Sequence, residues 1–496
     1  MGIIVRQSIK STAVVYFGVA LAFLINLIIF PLCFSLEEIG LLRVLAELGG
    51  LVATFASLGL TQSVFKFFPY FNNKNTGHNG YLTFITIVSL IGISIFGILL
   101  SVFRDTFIGF YQKDSPLLSS YWYLVIPISM GILFSTLYEY YSNLHLRIVV
   151  PKIIRELILR ILIIGAAFLV YSELISFLQF SWLYVLLFVL SAIFILIYLR
   201  WLGQLHFTRI IFNTEYPARQ IAVFNGYILF GAFGSLLINQ IDILMIAASP
   251  GGDANNGIYL TMVLIASMIE LPGRSLGQIS TPIIAEHMKS NNYGEVKSLY
   301  RNTSIIQLSV GCLLFTLLWS NIDNVFAMMP KGQLFQAGKW CVFYIGISQL
   351  FNMSTSVNGT ILGLSKYYKF GFFATLGLGV ISFCTNYLLI SRYSIEGAAM
   401  AKAINIFLYQ LSILFYVYLK TGMQPFTNKT ILPVVIMVIA FSASWLLPSL
   451  PHPLLDIAVR SLVIILIFAT LSLWFNVSPY FKELVDKSLS KLGLKK

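Results

Sequence analysis

The sequence predicts an all-α polytopic membrane protein with fourteen transmembrane helices. Of its 496 residues, 58% are apolar and only 10% are charged, and the mean hydropathy is +0.85. A soluble domain would carry about a quarter charged residues. The apolar residues stand in continuous runs, as spanning helices of about 20 residues require, and lack the alternating polarity of a membrane β-barrel.

Fourteen apolar segments are recognisable, with centres near Leu24, Phe55, Ser94, Ser129, Ile164, Leu187, Leu236, Ile269, Leu313, Gln349, Leu378, Leu408, Val438 and Ile465. The first segment follows Arg6 and Lys10 and continues from Ser11 to Phe34. That apolar stretch is longer than the core of a usual signal peptide. We therefore expect it to be retained as the first helix.

The basic residues indicate the orientation. Most of the 32 lysines and arginines fall in segments on the amino-terminal side of the predicted spans, whereas the opposite loops hold Arg104, Lys113, Lys331, Lys339 and Arg392. Such a bias predicts that both termini are cytoplasmic. It also accounts for the net charge of +13 without a nucleic-acid partner.

Two pairs of similar segments indicate an internal repeat. SLGLTQSVFKFFPYFNNKNTG from Ser57 matches SLGQISTPIIAEHMKSNNYGE from Ser275, and LHLRIVVPK from Leu144 matches LGLSKYYK from Leu362 at the same offset. Two halves of six helices each have the same orientation, as in the parallel repeats of some transporters. We therefore predict a bundle over 1–215, a second over 216–425, two additional helices over 426–477 and an amphipathic cytoplasmic tail over 478–496.

Several chemistries have no support in the sequence. Four cysteines (Cys33, Cys312, Cys341 and Cys384) are scattered in or near apolar runs, so we interpret them as small buried side chains. Neither a metal site nor a disulfide framework is indicated. No nucleotide-binding motif and no loop long enough to form a domain are present, so no cofactor is expected.

The amino-terminal third resembles the polysaccharide exporter (O-antigen flippase) family. A short positive terminus precedes LINLIIFPLCFSLEEIGLLRVLAELGGLVATFASLGL, and Lys66, Phe67, Phe68 and Pro69 then occupy the family's Arg/Lys-Phe-Phe-Pro segment after the second span. The superfamily also holds multidrug and toxin extruders and lipid II flippases. The resemblance implies a transporter of the bacterial inner membrane that flips an isoprenoid-pyrophosphate-linked oligosaccharide, with polysaccharide polymerases as partners.

Ionisable residues within the predicted spans are the candidates for function, because each costs several kcal/mol in lipid unless it pairs or faces water. There are eight: Arg43, Glu47, Glu139, Asp242, Glu270, Arg274, Lys402 and Arg460. Arg43–Glu47 and Glu270–Arg274 have i, i+4 spacing, which also suits ion pairs that only stabilise packing. Arg43 and Arg460 lie near the outer boundary, where long side chains can reach the interface.

Polar residues beside predicted helix breaks or in matching positions of the two halves favour a hydrated cavity. Pro272 and Gly273 separate Glu270 from Arg274 and weaken the helix. Asn239 and Asp242 share a helical face, and Asn26 occupies the matching LIN segment of the first span. Hydrogen bonding between helices is the alternative interpretation.

We accordingly assign three sets of side chains. Phosphate and sugar binding is predicted for Arg274, Arg43, Lys402, Asn26, Asn239 and Asn352, since guanidinium groups suit phosphate oxygens and amides suit sugars. Coupling to H⁺ or Na⁺ is predicted for Asp242, Glu270 and Glu139. Capture of the head group at the cytoplasmic side is predicted for Lys66, Arg147 and Arg155.

Two other functions remain open at this point. A cation-coupled multidrug antiporter would share the fold, but would favour acidic cavity charges over the mixture seen here. A glycan polymerase or ligase would also be polytopic, but would be expected to carry a large periplasmic loop with Arg and His. His452 is the only histidine on the predicted outer side.

Overall fold

The computed structural model describes residues 2–477, with gaps at 72, 74–75, 112, 114, 146, 212–217 and 368. Every regular element in these described ranges is a helix. The chain divides into two compact units, Met1–Leu260 and Thr261–Lys496. The predicted tail over 478–496 lies outside the described residues. The predicted boundaries of the two six-helix bundles stay a prediction.

In the first unit the helices are Gly2–Leu24, Ile25–Ile29, Phe30–Cys33, Leu36–Ala56, Leu60–Phe71, His78–Gly80, Tyr81–Val102, Arg104–Tyr111, Pro116–Tyr121, Trp122–Leu124, Val125–Leu144, Val149–Lys152, Ile153–Ile158, Leu159–Tyr171, Phe177–Trp201, Ala218–Asn239 and Ile241–Ala247. The helix Gly252–Ser267 crosses the boundary between the units. Two of these elements, Ile25–Ile29 and Ile153–Ile158, are π-helical turns within longer helices.

In the second unit the helices are Leu271–Lys289, Tyr293–Ser320, Ile322–Met328, Gly332–Phe335, Gln336–Gly338, Lys339–Thr355, Asn358–Leu364, Lys369–Thr421, Leu432–Trp445 and Pro453–Trp474. The helix Lys369–Thr421 is two helices joined at Ser394, whose φ of 50° departs from helical geometry. It contains two predicted span centres, Leu378 and Leu408. Buried side chains of several helices, among them Phe315, Leu350 and Phe468, form one apolar core cluster in this unit.

Eight of the described helices are long and apolar enough to cross a membrane, from Ala13–Cys33 to Pro453–Trp474. Most other predicted centres fall in helices that are short or interrupted, such as Leu432–Trp445. The protein is therefore an all-helical polytopic membrane protein, and the number fourteen stays a prediction.

Local sequence explains where the helices begin. Ser35 accepts a hydrogen bond from the Glu38 backbone at 3.2 Å, while the Glu38 carboxylate accepts one from the Ser35 backbone at 2.8 Å. This capping box satisfies two backbone donors at the start of the helix Leu36–Ala56. Ser176 and Gln179 form the equivalent capping box before Phe177–Trp201. Both caps fix where an apolar helix starts, and the first places Arg43 two turns along its helix.

Candidate functional site

A break in a helix positions the central ion pair of the second unit. Between Gly252–Ser267 and Leu271–Lys289, the backbone N–H of Glu270 bonds to the carbonyl of Ser267 at 3.1 Å, a tighter turn than an α-helix makes. Pro272 follows within the first turn of the new helix and has no N–H to continue the ladder. The predicted weakness of this segment is thus a real interruption, and Glu270 stands at it.

Glu270 and Arg274 form the predicted pair. Arg274 Nη2 lies 3.1 Å from Glu270 Oε2, and the two side chains are 61% and 19% exposed respectively. An exposed pair of this kind contributes only about 0–1 kcal/mol to stability. The geometry therefore leaves the cation accessible and the carboxylate largely covered, which a purely structural pair would not require.

Amide side chains extend this pair into a network within the second unit. Asn352 Nδ2 donates to Glu270 Oε1 at 3.5 Å and to Gln349 Oε1 at 3.4 Å. Gln410 Nε2 donates to Asn352 Oδ1, and Asn358 Nδ2 donates to Gln410 Oε1 at 3.1 Å. The network joins an acid, a guanidinium and neutral amides, which is a set of groups that can recognise both an anion and hydroxyl groups.

A second helix break lies beside the network. Ser356, between Lys339–Thr355 and Asn358–Leu364, has a φ of 49° and a ψ of −113°, a conformation that L-residues rarely adopt. Residues held in such regions cost on the order of 1–3 kcal/mol and concentrate at functional sites. The break separates Asn352 from Asn358, so that both amides meet Gln410 although they lie on different helices.

In the first unit, Asn26 and Arg43, both of which were predicted to bind substrate, form a hydrogen bond with each other. Arg43 Nη2 donates to Asn26 Oδ1 at 2.8 Å, and Asn26 Nδ2 donates to the carbonyl of Ala22 at 2.7 Å. Asn26 lies in the π-helical turn Ile25–Ile29, and such turns recur at functional sites. Both side chains are half-buried.

Arg43 and Glu47, whose i, i+4 spacing suits an ion pair, each form a hydrogen bond with a different residue. While Arg43 bonds to Asn26, Glu47 accepts a hydrogen bond from Gln240 Nε2 at 3.2 Å. Gln240 stands at the break between Ala218–Asn239 and Ile241–Ala247. Asp242, in the first turn of the helix Ile241–Ala247, has a different environment.

Asp242 is almost completely buried, with 2% of its surface exposed. Tyr259 Oη donates to Asp242 Oδ2 at 2.5 Å, and the backbone N–H of Ile243 donates to Oδ1 at 3.0 Å. This arrangement is a covered carboxylate held by a phenol at the start of a helix. Its predicted role in ion coupling stays a prediction.

Glu139 is paired with Arg155, whose guanidinium Nη1 donates to Glu139 Oε2. The predicted coupling acid and the predicted cytoplasmic capture residue are thus one ion pair, with side chains 9% and 30% exposed. The sequence did not single out a neighbouring pair, Arg160 and Glu156, which lie 2.7 Å apart. Gly18 packs directly against both of these side chains, so the first helix passes over the pair.

The remaining predicted residues have less defined surroundings. Lys402 is half-buried in the helix Lys369–Thr421, and Arg147 is exposed just before Val149–Lys152. The side chains of Lys66 and Asn239 lie outside the described residues. Among the residues that the structure describes, no group of three or more His, Cys, Asp or Glu could hold a metal ion.

Sequence reasoning missed two functional candidates. Gln410 is the hub that joins Asn352 to Asn358, and its signal was a single amide in the apolar stretch IFLYQLSILF. Tyr259 was missed because a tyrosine in a membrane helix usually reports only an interface position. Neither position has a spacing that marks its partner, since the partners lie on other helices.

No family model and no curated protein matches the sequence. Several solved structures are similar to it. The lipid II flippase MurJ in an inward closed conformation is similar at a TM-score of 0.74 and 13% identity, over 96% of this chain and 100% of that one.

A multidrug resistance MATE family transporter of the MOP superfamily, in its inward-facing conformation, is similar at a TM-score of 0.58 and 13% identity, over 82% and 94% of the two chains. A MOP superfamily transporter from Pyrococcus furiosus, reported to have a binding pocket of reverse polarity, is similar at a TM-score of 0.53 and 12% identity, over 85% of this chain and 95% of that one. At such identities the likeness concerns the fold, and the chain has the fold of the MOP superfamily.

Proposed function

We propose that this protein is a flippase for a lipid-linked oligosaccharide. The substrate would carry an isoprenoid pyrophosphate, and the protein would move its head group across the bacterial inner membrane for cell-surface polysaccharide biosynthesis. Alternate exposure of a binding site to the two sides would achieve this. The observation that carries the proposal is the exposed Arg274 beside a network of neutral amides.

The chemistry of this substrate suits the two kinds of group in the network. Pyrophosphate oxygens accept charge-assisted hydrogen bonds, and a guanidinium can give two in parallel. Sugar hydroxyls donate and accept neutral hydrogen bonds, as do Asn352 and Gln410, which already exchange one with each other. The similarity in fold to a lipid II flippase supports the same class of substrate.

Glu270 offers a means of coupling transport to H⁺ or Na⁺. The carboxylate holds Arg274 at 3.1 Å, so protonation of Glu270 or its capture of a cation would release the guanidinium toward an anionic substrate. Arg43 and Asn26 in the first unit would bind a further part of the head group. Lys402 and Asn239 complete the proposed binding set, with Lys66, Arg147 and Arg155 at the cytoplasmic side.

A cation-coupled multidrug antiporter is the second candidate, because MATE transporters are among the similar structures. Cationic drugs need an accessible carboxylate. At the break in the second unit the accessible group is Arg274, whereas the Glu270 side chain is only 19% exposed. This distribution of charge favours an anionic substrate. A glycan polymerase or ligase has less support, since the similar folds are those of transporters.

The proposal is tested by replacing Arg274 with alanine and, as a matched control, the exposed Arg392 with alanine. We expect Arg274→Ala to lose transport of a lipid-linked oligosaccharide in proteoliposomes, and surface-glycan export in cells, at a normal level of membrane insertion. Arg392→Ala should retain both.

Normal transport by the Arg274→Ala variant would remove Arg274 from the site. If the wild-type protein exported drugs but did not transport the oligosaccharide, the antiporter would instead be established.

A further inference from the structure

A pocket with two lysines lies at one end of the second unit, away from the Arg274 network. It has a volume of about 620 Å³ and is formed where the helix Leu271–Lys289 ends, where Asn358–Leu364 meets the following turn, and where Lys369–Thr421 ends. Its lining residues are Ala285, Met288, Tyr293, Leu364, Ser365, Lys366, Tyr367, Lys420, Thr421 and Met423. The predicted topology places these helix ends on the cytoplasmic side.

The pocket stands on a packed aromatic base. The rings of Phe370 and Tyr416 stack at 3.8 Å with an interplanar angle of 2°, and Tyr367 meets Tyr416 edge-on at 6.2 Å. All three rings pack against a buried apolar cluster of the unit that includes Ile361 and Met423. The base of the pocket is therefore fixed by the core of the unit.

Two ammonium groups stand over these rings. Lys420 Nζ lies 5.9 Å from the ring centres of both Tyr367 and Tyr416, and Lys366 Nζ lies 5.2 Å from the ring centre of Tyr367. Cation–π contacts at exposed sites contribute about 0.5–1 kcal/mol and orient the ammonium without neutralising it. Within the described part of the chain, neither lysine forms an ion pair with a carboxylate.

The remaining lining is suited to an amphiphile. Met288, Leu364 and Met423 provide an apolar wall, and none of the lining residues that the structure describes is acidic. Ser365 and Tyr293 bring hydroxyl groups to the same rim, although the Ser365 hydroxyl already donates to the carbonyl of Leu362 at 2.8 Å. Two cations beside hydroxyls and an apolar wall match a phosphate group that is attached to a lipid.

We propose that this pocket binds the phosphate of an anionic phospholipid head group. Basic pockets between membrane helices on the cytoplasmic side are a known means of holding such head groups. A free phosphate has the same charge chemistry but no use for the apolar wall. The proposal is independent of what the protein transports.

The test uses the purified full-length protein in a neutral detergent, with binding measured by native mass spectrometry. Phosphatidylglycerol is titrated against phosphatidylcholine, which has the same phosphate but no net charge, and inorganic phosphate is added as a competitor. The variants are Lys366→Gln, Lys366→Gln with Lys420→Gln, and Lys369→Gln. Lys369 is an exposed lysine three residues from Lys366 that does not line the pocket.

We expect phosphatidylglycerol to bind more tightly than phosphatidylcholine. At about 1 kcal/mol for each lysine near a membrane surface, its Kd should rise about fivefold in the single variant and about twenty-five-fold in the double variant. Lys369→Gln should leave it unchanged. The single variant keeps the test usable if the double variant folds poorly.

Equal binding of the two lipids, or equal loss in Lys369→Gln and Lys366→Gln, would overturn the proposal. Displacement of phosphatidylglycerol by millimolar inorganic phosphate, with binding still sensitive to Lys366, would support a phosphate site but refute the lipid as its specific source.

Discussion

Replacement of Arg460 by methionine should destabilise the second unit strongly. Arg460 Nε lies 2.7 Å from Asp456 Oδ2, and the two side chains are only 13% and 6% exposed. Arg460 Nη1 donates at 2.6 Å to the carbonyl of Ser444, in the last turn of the helix Leu432–Trp445, and Nη2 donates at 3.2 Å to the carbonyl of Leu447, just beyond the end of that helix. The Arg460 guanidinium, on the helix Pro453–Trp474, therefore caps the end of the helix Leu432–Trp445. The sequence had suggested only that this side chain reaches the membrane interface.

The loss of stability in Arg460→Met can be estimated from the groups that would lose their partner. Asp456 would keep the hydrogen bonds from the backbone N–H of Leu450 at 3.1 Å and from Asn324 Nδ2 at 2.5 Å, but it would lose Arg460, the only cation that pairs with it among the described residues. The Ser444 and Leu447 carbonyls would each lose a donor. Removing one partner of a buried ion pair costs about 3–5 kcal/mol. Asp456→Asn in the same background should recover part of this, because the buried charge disappears; contacting residues couple by about 0.5–3 kcal/mol.

The assay is equilibrium unfolding of the purified protein in mixed micelles with increasing sodium dodecyl sulfate. Arg392→Met is the control, since Arg392 is exposed and such substitutions stay within about 0.5 kcal/mol. A loss of stability in Arg460→Met no larger than that in Arg392→Met would contradict the prediction, as would a further loss on adding Asp456→Asn.

Two further predictions concern the first unit. Gly40→Ala should prevent correct packing, because a Cβ at Gly40 would overlap the backbone carbonyl of Asp253, whereas Gly50→Ala on the same helix has open space around it and should be tolerated. The yield of folded protein, measured by size-exclusion chromatography, should be much lower for Gly40→Ala than for Gly50→Ala. Equal yields would contradict the steric argument. Glu139→Gln and Arg155→Gln should each lower the unfolding midpoint more than the double variant does, because each alone leaves one partner of a covered ion pair without its counter-charge. A double variant less stable than both single variants would contradict this explanation, in which an uncompensated charge destabilises each single variant.

The class of the protein could be predicted from its amino-acid sequence. Continuous apolar runs with few charges can satisfy their backbone hydrogen bonds in lipid only as helices, so composition alone was sufficient for the prediction of a polytopic helical protein. It also located one real helix break, since Pro272 removes a backbone donor wherever it stands. The Glu270–Arg274 contact followed from i, i+4 spacing, which fixes neighbours along one helix.

The partner of each remaining polar group depends on how the helices pack against one another. Arg43 was as well spaced for Glu47 as Arg274 for Glu270, yet Arg43 donates to Asn26 and Glu47 accepts from Gln240. Glu139 meets Arg155, and Asn352 meets Gln410, across separate helices. Spacing along a chain restricts only contacts within a helix. Contacts between helices depend on packing geometry, which residues such as Gly40 set by how closely they allow two backbones to approach.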